Sequence, residues 1–138
     1  MLSNRKEIHV EWGDCDPAGI VYFPRFFEYF DACTNALFEK AGFRKPEMIR
    51  KYALLGIPMV DTRASFHAPV SFGQTVFVET RISAWGNSSF EVQHKLFHRD
   101  VLAAEGTEKR VWTVRDANVE TGIRSEPIPQ EVKDRFEK

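Results

Sequence analysis

The spacing of apolar residues changes near residue 23 of the chain. Over residues 7–13 apolar and polar residues alternate, which predicts a strand that presents Ile8, Val10 and Trp12 on one face. After a short polar stretch, apolar residues recur every three or four positions, which predicts an amphipathic helix over residues 24–41. The buried stripe of this helix is predicted to consist of Phe23, Phe26, Phe27, Phe30, Thr34, Leu37, Phe38 and Ala41.

Both ends of this helix carry residues with suitable conformational preferences. Pro24 suits the first turn, where its missing N–H leaves no hydrogen bond unmade, and Gly42 suits the C-terminal cap. At 1.5 Å per residue the helix would be roughly 27 Å long, enough to cross a whole small sheet. A weaker helical pattern covers residues 46–55 and is expected to stop at Gly56.

The later part of the chain is predicted to form strands. Residues 76–85 alternate, Gly86-Asn87 is a turn signal, and the alternation resumes over residues 90–96, so a long hairpin is expected. Further strands are predicted over residues 59–67 and 108–116.

One early strand, one dominant helix and about four later antiparallel strands predict an α+β fold with the helix on one face of the sheet. A turn around Asp100 would join two of the later strands. Because a single helix covers only part of a sheet and long strands leave open edges, self-association is expected.

Composition narrows the class of protein. The 138 residues are 43% hydrophobic and 28% charged, which indicates one globular domain spanning residues 1–138. A net charge of -1 offers no overall basic field, so neither nucleic acid nor a membrane surface is an expected partner. The absence of an apolar leader or an 18-residue apolar run favours a cytoplasmic location. Two cysteines, Cys15 and Cys33, are too few for a disulfide framework or a four-thiolate metal site, and no cofactor is expected.

The polar stretch between strand and helix reads G-D-C-D-P-A-G-I-V-Y-F-P and leads into F-E-Y-F-D-A-C. It places Asp16 in a turn just before a helix N-terminus, where free backbone N–H groups and the helix dipole favour negative charge. A carboxylate and a donor for a developing oxyanion would then lie together. Pro24 has no N–H, so the donor would be the backbone of Phe23 or Tyr22, and Gly19 would let the backbone approach a ligand closely.

This segment resembles the 4-hydroxybenzoyl-CoA thioesterase family of hot-dog proteins, and the order of the later strands extends the resemblance over nearly the whole chain. The resemblance implies a hot-dog fold, in which an antiparallel sheet wraps around one long central helix. It also implies hydrolysis of an acyl-CoA or aroyl-CoA thioester, and assembly into dimers and then a homotetramer.

The resemblance further implies roles for individual residues. Asp16 matches the catalytic carboxylate, either as a nucleophile or as a general base, and the Phe23 N–H is favoured as the oxyanion donor, with Tyr22 as a substrate contact. Asp31 matches an aspartate that meets the ring hydroxyl in the 4-hydroxybenzoyl-specific branch. The simpler interpretations are that Asp16 only caps a turn and that Asp31 is a solvated helix carboxylate; Asp14 is interpreted as a turn residue.

The region expected to bind CoA departs from the family. Trp85 is followed by Gly-Asn-Ser-Ser, whereas the hydroxybenzoyl-specific pattern is basic there. Ser88 and Ser89 are candidate hydrogen-bond donors to pantetheine or phosphate, or are simply turn residues. The phosphate site is therefore unassigned, and the alternative cations are Lys95, Arg99, Lys109 and Arg110.

Several alternatives stay open at this stage. The acyl group could be carried by acyl carrier protein instead of CoA, or the chain could be a non-catalytic acyl-CoA-binding module. A hot-dog hydratase would need an Asp and a His around an enoyl group, and Cys15 is a weaker candidate nucleophile than Asp16. His94 and His98 would be about 13 Å apart on a strand, too far for a two-histidine metal pair.

Overall fold

In the computed structural model, which describes residues 1–137, helices and antiparallel strands combine into the predicted α+β fold. The helices are α1 (Pro24–Lys40), α2 (Lys45–Tyr52) and α3 (Gln130–Glu137). The strands are β1 (Ser3–His9), β2 (Leu54–Gly56), β3 (Met59–Phe66), β4 (Thr75–Trp85), β5 (Ser89–His98), β6 (Val101–Val111), β7 (Thr113–Arg115) and β8 (Ile123–Ser125).

The main sheet has five antiparallel strands in the order β1-β4-β5-β6-β3. Strands β4 and β5 form the predicted long hairpin, in which Thr80 pairs with His94. The predicted strand over residues 59–67 is confirmed as β3, which lies at one edge of this sheet. A second sheet, β2-β7-β8, was not predicted because its strands have only three residues each, too few for a period of two to be recognised.

Helix α1 supplies the centre of the core, as predicted. Its buried side chains contact apolar residues from β4, β5 and β6, and two apolar clusters lie along its length. The predicted stripe is wrong at Phe23, which precedes the helix as its N-cap residue and is 58% exposed. Gly42 has a φ of +93°, so it provides the expected left-handed conformation just after the helix ends.

The first predicted strand is wrong in its position. Strand β1 ends at His9, and Trp12–Asp14 forms a short 3-10 helix that leaves Trp12 exposed. The Asp14 side chain accepts a hydrogen bond from the Glu11 N–H at 3.2 Å, while the Asp14 N–H donates to the Glu11 carbonyl oxygen. These local bonds stabilise the turn against the strand that alternation alone predicted.

Two later boundaries also differ from the prediction. Helix α2 ends at Tyr52 because Ala53 adopts a left-handed conformation with a φ of 53°, and the next residues form β2. The strand predicted over residues 108–116 begins earlier, at Val101, and its last part is the separate strand β7. The predicted turn around Asp100 is confirmed by positive φ angles at Arg99 and Asp100.

Candidate active site

Asp16 lies in a tight turn that its own backbone and side chain stabilise. Its N–H donates to the Ile20 carbonyl oxygen at 3.0 Å, and its carbonyl oxygen accepts from the Gly19 N–H at 2.9 Å. The Ala18 N–H donates to Asp16 Oδ1 at 2.8 Å. Across residues 1–137 no hydrogen bond is made to Asp16 Oδ2. One carboxylate oxygen therefore orients the side chain and the other stays available to a ligand.

Gly19 is required by the conformation of this turn. Its φ of +80° lies in the left-handed region, which residues with a side chain adopt reluctantly. No other heavy atom lies within 4 Å of where a Cβ would be, and the Gly19 carbonyl oxygen accepts from the Phe72 N–H at 2.9 Å. Backbone conformation thus explains the glycine within this chain, and the open space beside it is compatible with a ligand.

The structure separates the two backbone groups predicted as oxyanion donors. The Tyr22 N–H donates to the Asp14 carbonyl oxygen at 2.8 Å, so it is already used. Within the described part of the chain the Phe23 N–H has no acceptor, and it lies at the N-terminus of α1, just before Pro24. Phe23 is therefore the better donor for a negatively charged oxygen.

Asp14 has the contacts of a turn residue. Its Oδ2 accepts from the Tyr29 hydroxyl at 2.8 Å as well as from the Glu11 N–H. Burial and the neighbouring Asp14 carboxylate raise the pKa of the Tyr29 phenol, so this hydroxyl remains a donor to a higher pH than an ordinary tyrosine does. Asp14 thereby ties the segment before the Asp16 turn to the first half of α1.

Cys15, between the two aspartates, is poorly suited to be a nucleophile. Partial burial, followed by the charges of Asp14 and Asp16, raises the pKa of its thiol. Its Sγ lies 3.5 Å from the Glu11 carbonyl oxygen, to which the thiol donates. Because the thiolate is the reactive form, these surroundings disfavour attack by Cys15.

An apolar depression lies beside Phe23 at the N-terminus of α1. Its volume is about 320 Å³, and its lining residues are Ile20, Val21, Phe23, Phe26, Phe66, His67, Ala68, Pro69 and Val70. Two of its lining aromatic side chains are about half exposed, Phe23 at 58% and Phe66 at 48%, and the Tyr22 ring contacts Phe23 edge to face. A patch of this kind marks a surface that a ligand or another chain covers.

Asp31 lies farther along α1 and is paired with an arginine. Its side chain is 55% exposed, and its Oδ1 accepts from Arg110 Nη2 at 2.7 Å. Asp31 follows Phe23 by eight residues, which corresponds to about 12 Å along a helix axis. Within one chain, Asp31 and the Phe23 N–H are therefore not brought together around a single aromatic ring.

Behind Asp31 a buried polar network joins α1 to the sheet, and the sequence did not predict it. Arg110 Nε donates to Glu108 Oε1 at 2.9 Å, and the Thr34 hydroxyl donates to the same oxygen at 2.6 Å. Glu108 Oε2 lies 3.3 Å from His94 Nε2, within ion-pair range when the ring is protonated. The His94 ring stacks on Phe30. A signal was present, because residues 108 and 110 share one face of an alternating strand.

The network changes how three of its residues are interpreted. Burial raises the pKa of the Glu108 carboxyl, but hydrogen bonds from His94 and Arg110 outweigh this and hold it below its usual value. The Arg110 side chain is 7% exposed and each of its three nitrogens donates to a protein oxygen, which favours a role within the protein over the suggested contact with a CoA phosphate. His94 is a buried partner of Glu108; among residues 1–137 no group of His, Cys, Asp or Glu is arranged to hold a metal ion.

A larger cavity, of about 640 Å³, opens between α1, α2 and β2. Its walls are mostly apolar, with Arg110 and Asn35 among the polar groups that reach it. The apolar lining residues are Phe38, Phe43, Pro46, Met48, Ile49, Leu54, Leu55, Ile57, Pro58 and Ile123. This cavity adjoins the second half of α1, whereas Asp16 and Phe23 precede the first.

Ser88 and Ser89 lie at the opposite end of the sheet from Asp16. Their carbonyl oxygens accept from the Trp112 and Gly86 N–H groups, each at 2.7 Å. The Asp16 turn is next to the start of β4, and the serines follow its end, about 33 Å away for a strand of eleven residues. One chain therefore does not bring the serines and Asp16 to the same ligand.

Comparison with known proteins identifies relatives of this chain. A family model described as "Thioesterase-like superfamily" matches residues 10–136. The 4-hydroxybenzoyl-CoA thioesterase of Pseudomonas sp. (strain CBS-3) is 34% identical over 113 residues, which cover 78% of this chain and 80% of that protein.

Solved structures agree with the sequence relatives. A 4-hydroxybenzoyl CoA thioesterase mutant in complex with 4-hydroxybenzoyl CoA superposes with a TM-score of 0.89, at 26% identity and covering 97% of this chain and 98% of that one. A gentisyl-coenzyme A thioesterase superposes with a TM-score of 0.83, at 30% identity and covering 98% and 100%. The expected hot-dog fold is thus confirmed. No helix in the part of the chain that the structure describes is long and apolar enough to cross a membrane.

Proposed function

Since the chain belongs to the thioesterase-like superfamily and is an acyl-CoA thioesterase, we propose that it hydrolyses hydroxylated aroyl-CoA thioesters at the Asp16 turn, giving the free acid and CoA. The observation that carries the proposal is the turn that leads into α1: among residues 1–137 neither Asp16 Oδ2 nor the N–H of Phe23, the N-cap residue of α1, has a hydrogen-bond partner. The substrate class is taken from the relatives, whose named acyl groups are 4-hydroxybenzoyl and gentisyl.

Two mechanisms use the same carboxylate. As a nucleophile, Asp16 Oδ2 bonds to the thioester carbonyl carbon and CoA leaves as its thiolate, giving a mixed anhydride that water then cleaves. As a general base, Asp16 takes a proton from water while the water oxygen attacks that carbon, and the departing thiolate then takes up that proton from Asp16. The hydrogen bond from the Ala18 N–H supports both mechanisms because it fixes the carboxylate without occupying Oδ2.

The Phe23 N–H is assigned to the carbonyl oxygen. Negative charge develops on that oxygen during attack, and a backbone donor at a helix N-terminus stabilises it without having to reorient. Loss of one such donor in other enzymes lowers kcat about 10²- to 10³-fold. Phe23 cannot be tested by a simple side-chain change, because the group involved belongs to the backbone.

A complete site requires a second copy of the chain. Asp31 is about 12 Å along the helix from Phe23, longer than one aromatic ring, and the Ser88–Ser89 turn is farther away still. We therefore propose a homodimer, and a tetramer of two such dimers, in which different copies supply these residues. The open edge of β3, with exposed Met59, Val60 and Phe66, is a suitable surface for such pairing.

The direct test is the substitution Asp16→Asn, which keeps the size and the hydrogen bond from Ala18 but removes the charge. Release of free thiol would be measured with 4-hydroxybenzoyl-CoA, benzoyl-CoA, a short aliphatic acyl-CoA and an acyl carrier protein thioester. The expected result is a fall in kcat of about 10²- to 10⁴-fold.

The matched control is Asp100→Asn, which changes an exposed turn aspartate with a left-handed φ that asparagine also accepts. It should leave kcat unchanged. Undiminished turnover in Asp16→Asn would reject Asp16 as the catalytic group. Binding of CoA esters by the unmodified chain without any thiol release would instead identify a non-catalytic acyl-binding module.

A further inference from the structure

We propose that Arg110 is a positioning residue for Asp31, the carboxylate that the family resemblance matches to the acceptor of a hydroxyl group on the substrate's aromatic ring. This inference rests on the proposed hydrolysis of hydroxylated aroyl-CoA thioesters. Arg110 would then contribute to substrate selection although its side chain is only 7% exposed.

The Arg110 guanidinium makes hydrogen bonds in three directions. Its Nε donates to Glu108 Oε1 at 2.9 Å, its Nη1 to the Ile57 carbonyl oxygen at 3.1 Å, and its Nη2 to Asp31 Oδ1 at 2.7 Å. The first two bonds fix the plane of the guanidinium, so the third is presented to Asp31 in a fixed direction. Arg110 thereby links a half-exposed carboxylate to a buried framework.

This arrangement leaves Asp31 with one free oxygen. Among residues 1–137 Asp31 Oδ2 accepts no hydrogen bond, and the Asp31 side chain is 55% exposed. An unpaired aspartate on a helix surface would exchange between rotamers, and ordering it on binding would cost entropy. Pairing with Arg110 removes much of that freedom before the ligand arrives, so an incoming hydroxyl meets an oriented acceptor.

The support for Arg110 extends two residues deeper. The Thr34 hydroxyl donates to Glu108 Oε1, and His94 lies 3.3 Å from Glu108 Oε2. Thr34 and Asp31 are both on α1, three residues apart, so the helix contacts the network at two neighbouring positions. A rotation of α1 that moved Asp31 would therefore also break the contact between Thr34 and Glu108. The position of the Asp31 carboxylate is thus fixed by the way α1 packs on the sheet.

Arg110, the buried member of the pair, reaches an apolar cavity that is large enough for an aromatic acyl group. Arg110 lines the cavity of about 640 Å³, and so does Asn35, which follows Asp31 by one helical turn on the same face. Ligand pockets of this type combine apolar walls with a few fixed polar groups that set orientation. A hydroxylated ring satisfies both features, whereas an unsubstituted ring leaves the acceptor without a partner.

The test is the ratio of kcat/KM for 4-hydroxybenzoyl-CoA to kcat/KM for benzoyl-CoA, measured in four variants. Arg110→Gln and Asp31→Asn should each lower this ratio by about 10- to 100-fold, as expected for loss of a hydrogen bond to a charged group. The double variant should lower it no further, because both changes remove the same interaction. Arg110→Lys keeps the positive charge beside Glu108 but lacks the planar guanidinium with its fixed donors, so its ratio should lie between those of the unmodified enzyme and Arg110→Gln. This variant keeps the test valid if Arg110→Gln does not fold.

The matched control is Arg124→Gln, which removes another arginine–aspartate pair, Arg124 with Asp116 at 3.1 Å, and should leave the ratio unchanged. A merely structural role for Arg110 would lower both kcat/KM values equally and leave their ratio intact, and that result would overturn the inference. So would additive effects of Arg110→Gln and Asp31→Asn. Failure of the unmodified enzyme to hydrolyse either ester would reject the proposed function itself, and this inference with it.

Discussion

The two aspartates proposed for the site, Asp16 and Asp31, are held in different ways. Asp16 is fixed by the Ala18 N–H, two residues away in the chain. Asp31 is fixed by Arg110, which is 79 residues away and is itself held by buried Glu108. The proposed chemistry thus depends on a local turn, whereas the proposed recognition of the acyl group depends on tertiary packing.

This difference has consequences for how each region tolerates change. Removing one hydrogen bond from an exposed turn lets water replace the lost partner, so the loss of stability is small. Removing one member of a buried charged network leaves the others without partners in a medium of low dielectric constant. The recognition region should therefore be the more fragile of the two, and the following substitutions test that expectation.

Glu108→Ala is expected to have the largest effect on stability. It leaves Arg110 and His94 facing an empty space inside the core, and breaking a buried ion pair in this way destabilises by about 3–5 kcal/mol. The melting temperature should fall by roughly 10–20 °C for a domain of this size. Thermal unfolding followed by circular dichroism measures it, and Glu79→Ala, an exposed glutamate on β4, is the control and should stay within about 0.5 kcal/mol.

The same substitution has a predicted pH dependence. The folded state holds the pKa of Glu108 below its usual value, so the ionised carboxylate contributes stability above pH of about 4.5 and that contribution is lost as pH falls through the folded-state pKa. The difference in melting temperature between the unmodified protein and Glu108→Ala should therefore be full at neutral pH and should shrink toward pH 3. A difference that stays constant over this range would show that Glu108 acts through packing and not through its charge.

The contrast between the two regions also explains what could be predicted from the sequence. The long helix, the β4–β5 hairpin and the turn before Pro24 each follow from neighbouring residues, and each was placed correctly. Helix α1 faces the sheet as its Phe26 and Phe30 spacing requires. Each of these features is determined by the spacing of apolar residues within one segment or by a hydrogen bond between residues close in sequence.

The buried network could not be predicted in the same way. His94 was considered only for a metal pair and rejected, Glu108 was interpreted as a strand residue, and Arg110 was named as an alternative cation for CoA. Nothing in the sequence brings β5, β6 and α1 together. Charged residues are also rarely buried without a partner, and the partner here comes from another element. The position of Trp12 was missed for the opposite reason, since a local bond between Asp14 and Glu11 overrode the alternating pattern.

Tyr29→Phe is expected to have an intermediate effect, and it probes a side-chain contact between helix α1 and the segment before the Asp16 turn. It removes the hydrogen bond to Asp14 Oδ2, which should cost about 1.5 kcal/mol because the acceptor is charged. The segment before Asp16 would then be less well fixed, so kcat should fall by roughly threefold to tenfold. Steady-state thiol release and thermal unfolding measure the two effects.

The control for this substitution is Tyr52→Phe, which removes a similar hydrogen bond, to Glu131, far from the Asp16 turn. It should leave kcat unchanged. A loss of stability in Tyr29→Phe as large as that in Glu108→Ala would contradict the distinction between a locally held turn and a buried network. An unchanged kcat would show that Asp14 supports the fold without helping to position Asp16.

Cys15→Ser should have the smallest effect, and it decides which side chain of the D-C-D turn reacts. The thiol pKa is raised by partial burial and by Asp14 and Asp16, so little thiolate is present at neutral pH, and the thiol makes only a weak contact with the Glu11 carbonyl oxygen. Serine keeps a donor at that position, so kcat/KM should change by less than about twofold and stability by less than about 0.5 kcal/mol. Thiol release from 4-hydroxybenzoyl-CoA measures the first and thermal unfolding the second. Because Cys15 adjoins Asp16, a fall in kcat as large as that of Asp16→Asn would identify the Cys15 sulfur, and not the Asp16 carboxylate, as the nucleophile. Unchanged turnover would leave Asp16 as the reactive side chain of this turn.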